Sequence, residues 1–410
     1  MDLLLNAALD WARGGIRSVR LHVSLAGALL VSLLAAGLLG VPAAWGQTAA
    51  ENWIKPATLK LGETTYQLLY EGAISNHVQT ARLQTPAGVQ GQALLMFYPG
   101  RTKGTAYLPA EKYLFEMSRE RTIATRIVEP PADGPFDQEI ALNDQGGIRP
   151  AGYDTPADPA NPVTIDLMVL YTPAAREAVG GASNILDKIH LAVAEANQAY
   201  AESGIGVILN LVHARSINYA ESASMSTDLY RLAASDGIMD EVQTLRTQYG
   251  ADMVSLLVNS SDMYAGIAYV LTGASDWAFS VIQALYANGY YVFPHELGHN
   301  FGCAHDRQNA SVGGAYSYSY GYRFDVGSLT YRTIMSYAPG IRVGLFSTPE
   351  KTFLGKPVGT ATEDNARTIS QRASIIAGLQ GAPSYTLTLV RNGTGSVLHN
   401  GAGMVASQLT

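Results

Sequence analysis

The segment HELGHNFGCAHD at residues 295–306 decides how the chain is read. His295 and His299 stand four residues apart, so on a helix they project from one face, one turn above the other. Two imidazoles so placed grip one Zn²⁺, with their spacing set by secondary structure alone. Glu296 follows the first ligand, where its carboxylate reaches a metal-bound water, takes its proton during attack and passes it to the departing amine. Gly302 ends the helix, because glycine accepts the left-handed conformation of a C-terminal cap, and the chain turns back to offer His305 as third ligand. Three histidines leave the fourth position for water and substrate. His295, Glu296, His299, Gly302, His305 and Asp306 would fall in this register by chance in roughly one chain in a million.

The pattern resembles the metzincin metallopeptidases, whose signature HExxHxxGxxH is followed by a Met-turn. Residues 331–339, YRTIMSYAP, supply such a turn. The resemblance implies that Met335 packs beneath the metal as structural support and that Tyr337 either reaches the reacting centre or simply packs beside it. Asp306, directly after the third histidine, is similar to the reprolysin or adamalysin-like group. Within that group the runs IDLMVLYTPAAR (165–176), GIAYV (266–270) and IMSYA (334–338) look most like bacterial peptidyl-Asp metalloendopeptidases. The implied fold is an α/β (α+β) catalytic domain with a twisted mixed sheet and an active-site helix, spanning about residues 163–382.

The same resemblance implies an endopeptidase with one catalytic zinc, calcium being left open, that acts on protein or peptide substrates. A substrate strand is expected to pair with the sheet edge at Gly266, Ile267 and Ala268, where main-chain bonds give affinity with little sequence preference. Cleavage N-terminal to Asp is expected as well. A carboxylate entering a partly dry subsite needs a cation. In metzincins the chain after the Met-turn walls that subsite, and here it reads APGIRVGLF (338–346). Arg342 is therefore the candidate, since a guanidinium holds a carboxylate through two parallel hydrogen bonds. Arg323 and Arg332 are competitors, and a surface arginine without substrate role is the alternative.

Three features depart from the family pattern. Pro294 directly precedes the first ligand, so the helix begins only about a turn earlier. Residues 47–162 contain no cysteine, which excludes a thiol-on-zinc latency switch. If that segment is inhibitory, it works by laying backbone across the cleft or by placing a carboxylate on the metal. Cys303, the only cysteine, reads as a small buried filler with no disulfide partner. His77, His190, His213 and His399 read as ordinary structural or solvent histidines.

The 410 residues are 47% hydrophobic and 15% charged with a net charge of −7, the balance of a globular protein with a sizeable core. No basic block suggests nucleic acid or an anionic membrane. Residues 1–46 read as a secretory signal: Arg13, Arg17 and Arg20 precede an apolar run from Leu21 to Val41, and Ala44 and Gly46 place cleavage before Gln47. A retained membrane anchor is the alternative; after cleavage no stable membrane association is expected. Residues 47–129 read as a β-rich propeptide domain. Residues 130–162 hold seven of the chain's 18 prolines and read as an exposed connector. Residues 163–382 alternate strand and helix, and 383–410 read as a short β tail. A zinc-binding module without catalysis, serving adhesion or recognition, is the rival to the enzyme, and the intact Glu296 argues against it.

Overall fold

A computed structural model describes residues 53–75, 77–128, 137–142, 156–273 and 275–381. The expected signal at 1–46, the tail at 383–410 and most of the connector at 130–162 lie outside these residues. No helix among the described residues is long and apolar enough to cross a membrane.

Seven strands, β1 (Thr58–Leu61), β2 (Thr64–Ser75), β3 (Val78–Thr85), β4 (Gly88–Tyr98), β5 (Arg101–Tyr107), β6 (Lys112–Ser118) and β7 (Thr122–Ile127), form an antiparallel meander in chain order. Alternation along β1 buries Leu59 and Leu61, which join Leu83, Phe97 and Phe115 in a core of the meander's own. Ala93 to Tyr98 in β4 are buried without alternation. The reason is that Leu94, Met96 and Tyr98 face a second partner, Leu191 and Ala194 of the following α/β region.

That region is built on a six-stranded mixed sheet, ordered β10-β9-β11-β13-β12-β8, from β8 (Asp137–Leu142), β9 (Val163–Tyr171), β10 (Val207–Ser216), β11 (Met253–Val258), β12 (Gly266–Leu271) and β13 (Phe279–Gln283). β9 to β11 and β13 run parallel, and β12 is antiparallel to β13. β11, β12 and β13 are buried along their whole length, which explains why their sequences are continuous apolar runs. Thr172 caps α1 (Pro173–Ala178) by accepting the Ala175 N–H at 2.9 Å, with Pro173 in the first turn. α2 (Ala182–Glu202) buries Ile185, Ile189, Val193, Ala196 and Tyr200, the helical spacing of one face. α3 (Met225–Ala233) and α4 (Glu241–Tyr249) follow, then α5 (Val292–Asn300) and α6 (Asn365–Ile376), the last capped by Asp364.

The meander grips α2 through charge as well as apolar contact. Arg101 and Lys103 reach Asp187 at 3.0 and 2.7 Å, and Thr105 donates to the buried carboxylate of Glu195. Both Glu195 oxygens also accept the Gly289 N–H, at 2.8 and 3.0 Å. Burial nonetheless pushes this carboxyl up to about 7. Tyr107 stacks on Tyr291, with ring centroids 5.1 Å apart.

The reading of 130–162 as an exposed connector is corrected in one place. Residues Asp137–Leu142 form β8, which pairs in parallel with β12, Asp137 opposite Gly266 and Leu142 opposite Leu271. Ile140 packs against the core, and pairing through the main chain along a sheet edge makes few demands on sequence, so the apolar pattern is weak. The sheet edge expected to be open beside Gly266, Ile267 and Ala268 is thereby covered.

Candidate metal centre

α5 begins at Val292 from a left-handed Tyr291 (φ 60°), so Pro294 falls in the first turn, where its missing N–H has no helical partner to lose. The helix closes at Gly302 (φ 88°), whose N–H donates to the His299 carbonyl at 2.7 Å while the Cys303 N–H donates to that of Gly298 at 3.0 Å. These two bonds form a Schellman cap. A Cβ at 302 would stand 2.5 Å from the Leu271 carbonyl oxygen, so glycine is required for space as well as for φ. The cap reverses the chain into β14 (Ala304–Asp306), which pairs with β15 (Tyr320–Gly321) and presents His305.

His295, His299 and His305 bring their ring nitrogens together in a buried cluster. The Nε2 atoms of His295 and His299 lie 3.2 and 3.1 Å from that of His305. His295 Nδ1 is 2.7 Å from the Ile334 carbonyl and His299 Nδ1 2.8 Å from that of Cys303. A carbonyl oxygen only accepts, so each Nδ1 carries the proton and each Nε2 keeps its lone pair. Lone pairs converging at this distance repel unless a cation lies among them. Nitrogens bound 2.0–2.1 Å from a tetrahedral zinc stand about 3.3–3.4 Å apart, which this cluster approaches. The donor set therefore fits zinc.

Neighbouring residues fix the ligands. Met335 lies directly under the helix between the two ligands, since a Cβ on Gly298 would meet its Sδ at 2.6 Å. Asp306 ties the third ligand to the Met-turn: Oδ1 accepts from Arg323 at 2.8 Å and Oδ2 from the Tyr337 N–H at 3.0 Å. Asn309 Nδ2 donates to both oxygens at 2.9 Å. The Tyr337 ring sits 4.2 Å from that of His305, centroid to centroid. Glu296 is buried against β12, where a Cβ on Gly266 would lie 2.2 Å from its Oε1. Gly266 is thus the point at which the sheet edge touches the centre. Ile267 and Ala268 continue that edge, buried beside β8.

Arg342 is not a surface residue. It is 2% exposed and donates through Nη1 to the Tyr290 carbonyl at 3.2 Å and through Nη2 to that of Ser336 at 3.5 Å. Arg332, opposite it in the pairing of β16 (Leu329–Arg332) with β17 (Ile341–Arg342), donates to the same Ser336 carbonyl at 2.7 Å. Two guanidiniums therefore converge under the Met-turn. Arg323 already holds the Asp306 carboxylate. Asn300, which the sequence did not single out, pins α5 to the sheet by donating at 3.0 Å to the carbonyls of both Tyr269 and Phe279. No signal marked it, because an asparagine beside a ligand has no fixed role in the pattern. Cys303 is buried, its thiol pushed up by desolvation, and serves the site through its backbone carbonyl.

A mixed sheet packed on a capped helix that carries two histidines, with the third returned to them on a short strand after the cap, defines a zinc metallopeptidase. Residues 161–347 match the Reprolysin_5 model of metallo-peptidase family M12. The peptidyl-Asp metalloendopeptidase of Stenotrophomonas maltophilia (strain K279a) is 35% identical over 307 residues, 71% of each chain. That of Xanthomonas campestris pv. campestris is 37% identical over 343 residues, 81% of this chain and 80% of the other. Among solved structures, metalloproteinase-II from Bacteroides fragilis is similar at a TM-score of 0.38 and 14% identity, covering 70% of this chain and 87% of that one. The chain belongs to metallopeptidase family M12, with the peptidyl-Asp metalloendopeptidases as relatives, and is a zinc metalloendopeptidase.

Proposed function

We propose that this endopeptidase is exported and cleaves on the N-terminal side of Asp, with Glu296 as general base and the Arg332–Arg342 pair holding the Asp side chain. The observation that carries the reading is the convergence of two buried guanidiniums on the Ser336 carbonyl, one residue from Met335. When bound by His295, His299 and His305, zinc supplies a Lewis acid and an acidified water. Glu296 receives the proton given up in attack and returns it to the departing amine. Asp306 and Met335 position the third ligand and the helix floor. Tyr337 packs its ring on His305 and so stands beside the third ligand, the place from which a phenol would assist the reacting carbonyl.

A cation pair under the cleft favours a carboxylate after the scissile bond, since a charged hydrogen bond is worth about 1.5–3 kcal/mol. In Arg342→Ala the ratio of kcat/KM for peptides with Asp over Asn at that position is expected to fall at least about 10-fold. A merely structural arginine lowers both values together and leaves the ratio unchanged, which would reject the assignment.

Gly266 gives a second test. Alanine there would bring Cβ within 2.6 Å of Glu296 Cδ and 2.7 Å of its Cγ, so the carboxylate must move. Displacing a reacting group by an ångström costs on the order of 100-fold in rate. Gly266→Ala is expected to lower kcat at least about 10-fold with zinc content unchanged. A kcat equal to wild type would show that Glu296 does not act from this position.

A further inference from the structure

Between β13 and α5 the chain crosses residues 284–291, ALYANGYY, and the last four of these are tied on both sides. On one side is α2. Both Glu195 oxygens accept the Gly289 N–H, at 2.8 and 3.0 Å. Two turns earlier on the helix, Lys188 donates to Asn288 Oδ1 at 3.0 Å, and Asn288 Nδ2 donates back to the Lys188 carbonyl at 3.2 Å. On the other side, the Tyr290 carbonyl accepts from Arg342 Nη1 at 3.2 Å. Tyr291 then opens α5, packed so closely on Gly344 that a Cβ there would collide with its hydroxyl. We propose that Glu195 is a positioning residue for the Asp-binding pocket: through residues 288–290 it sets where the Arg342 guanidinium stands. The inference rests on the reading of Arg342 given above and adds the residue that aims it.

Glu195 and Asn288 are both buried, so these bonds meet little competition from water. A buried N–H left without an acceptor is costly, and a carboxylate is the stronger kind of acceptor. Gly289 is the pivot. Its φ of 80° makes the chain turn there, and Ile127 of β7 closes the space that a side chain would need. With the Gly289 N–H fixed on α2, the carbonyl of the next residue is fixed in turn, and that carbonyl holds Arg342. The Ser336 carbonyl is 3.5 Å from Arg342 and is already taken by Arg332 at 2.7 Å, so the Tyr290 carbonyl is the nearer of the two. A guanidinium grips a carboxylate through two parallel bonds only when its plane is set, and a tilt loses one of them. An amide at 195 would still offer an oxygen to Gly289, which makes the hydrogen bond, and not the charge, the part that acts.

The test compares the ratio of kcat/KM for peptides with Asp over Asn after the scissile bond, in the zinc-loaded protein and its variants. Glu195→Leu removes the acceptor and is expected to lower the ratio at least about 5-fold, a part of the roughly 100-fold that an ångström of misplacement costs. Glu195→Gln keeps an oxygen for Gly289 and should retain the wild-type ratio. A residue that only supports the fold lowers both values together in Glu195→Leu and leaves the ratio where it was, which would overturn the proposal, as would an equal fall in Glu195→Gln. If Glu195→Leu does not fold, Asn288→Ala cuts the two neighbouring bonds without touching a buried carboxylate. A fall of its ratio supports the proposal, and an unchanged ratio overturns it. The double variant Glu195→Leu, Arg342→Ala closes a cycle: because Glu195 acts through Arg342, its ratio should equal that of Arg342→Ala alone. Losses that multiply would place the effect of Glu195 elsewhere and overturn the proposal. An unchanged ratio in Arg342→Ala would remove the pocket reading and this inference with it, whereas a lowered ratio there beside an unchanged one in Glu195→Leu would overturn the inference alone.

Discussion

Alanine in place of Glu296 is expected to leave the protein zinc-loaded and to lower peptide hydrolysis at least about 100-fold, the lower end for loss of a general base. The metal should stay because none of its supports passes through this residue. Ring orientation comes from the Ile334 and Cys303 carbonyls, and the third ligand is held by the Schellman cap and by Asp306. What is lost is the only carboxylate that α5 places against Gly266, at the point where β12 meets the triad. Zinc content by atomic absorption and kcat on one peptide, measured on the same preparation, give the comparison. A metal-loaded variant with near-wild-type kcat would assign the proton transfer elsewhere.

What the sequence made legible follows from how local each feature is. The triad could be read because His295 and His299 are tied by helical geometry and Gly302 by the demands of a left-handed cap, all within one short segment. The strands of the central sheet were legible as apolar runs, because burial on both faces leaves little choice of residue. Contacts set by the tertiary fold were not. Ile334 and Cys303 act through backbone carbonyls, which any residue would supply. Gly266 looks like an ordinary strand glycine until Glu296 is placed against it. Arg342 is legible as a candidate pocket cation with a surface arginine as the alternative, but its burial beside Arg332 at the Met-turn is not, because that depends on two short strands pairing in register. β8 was least legible: its segment has the composition of a connector, and an edge strand held by main-chain bonds leaves almost no trace in side-chain pattern.

Replacing His305 by alanine is expected to empty the zinc site under conditions that keep wild type fully loaded. The two helix histidines are spaced by α5 itself and survive the change, so the variant tests the ligand that comes from a separate element. His305 sits on β14, one residue before Asp306, and its position depends on the pairing of β14 with β15 and on the Asp306 contacts to Tyr337, Asn309 and Arg323. Two imidazoles alone leave zinc with half of its coordination shell in water. Supports behind a ligand are worth about 10- to 100-fold in metal affinity, so removing a ligand outright should cost at least about 100-fold. Asp306→Ala keeps the imidazole and loosens its mounting, and should fall between wild type and His305→Ala. Competition against a chelator of known zinc affinity orders the three proteins, with circular dichroism showing that the fold is kept. Stoichiometric zinc in His305→Ala at wild-type affinity would show that a different side chain completes the site, and a larger loss in Asp306→Ala than in His305→Ala would make the carboxylate the ligand.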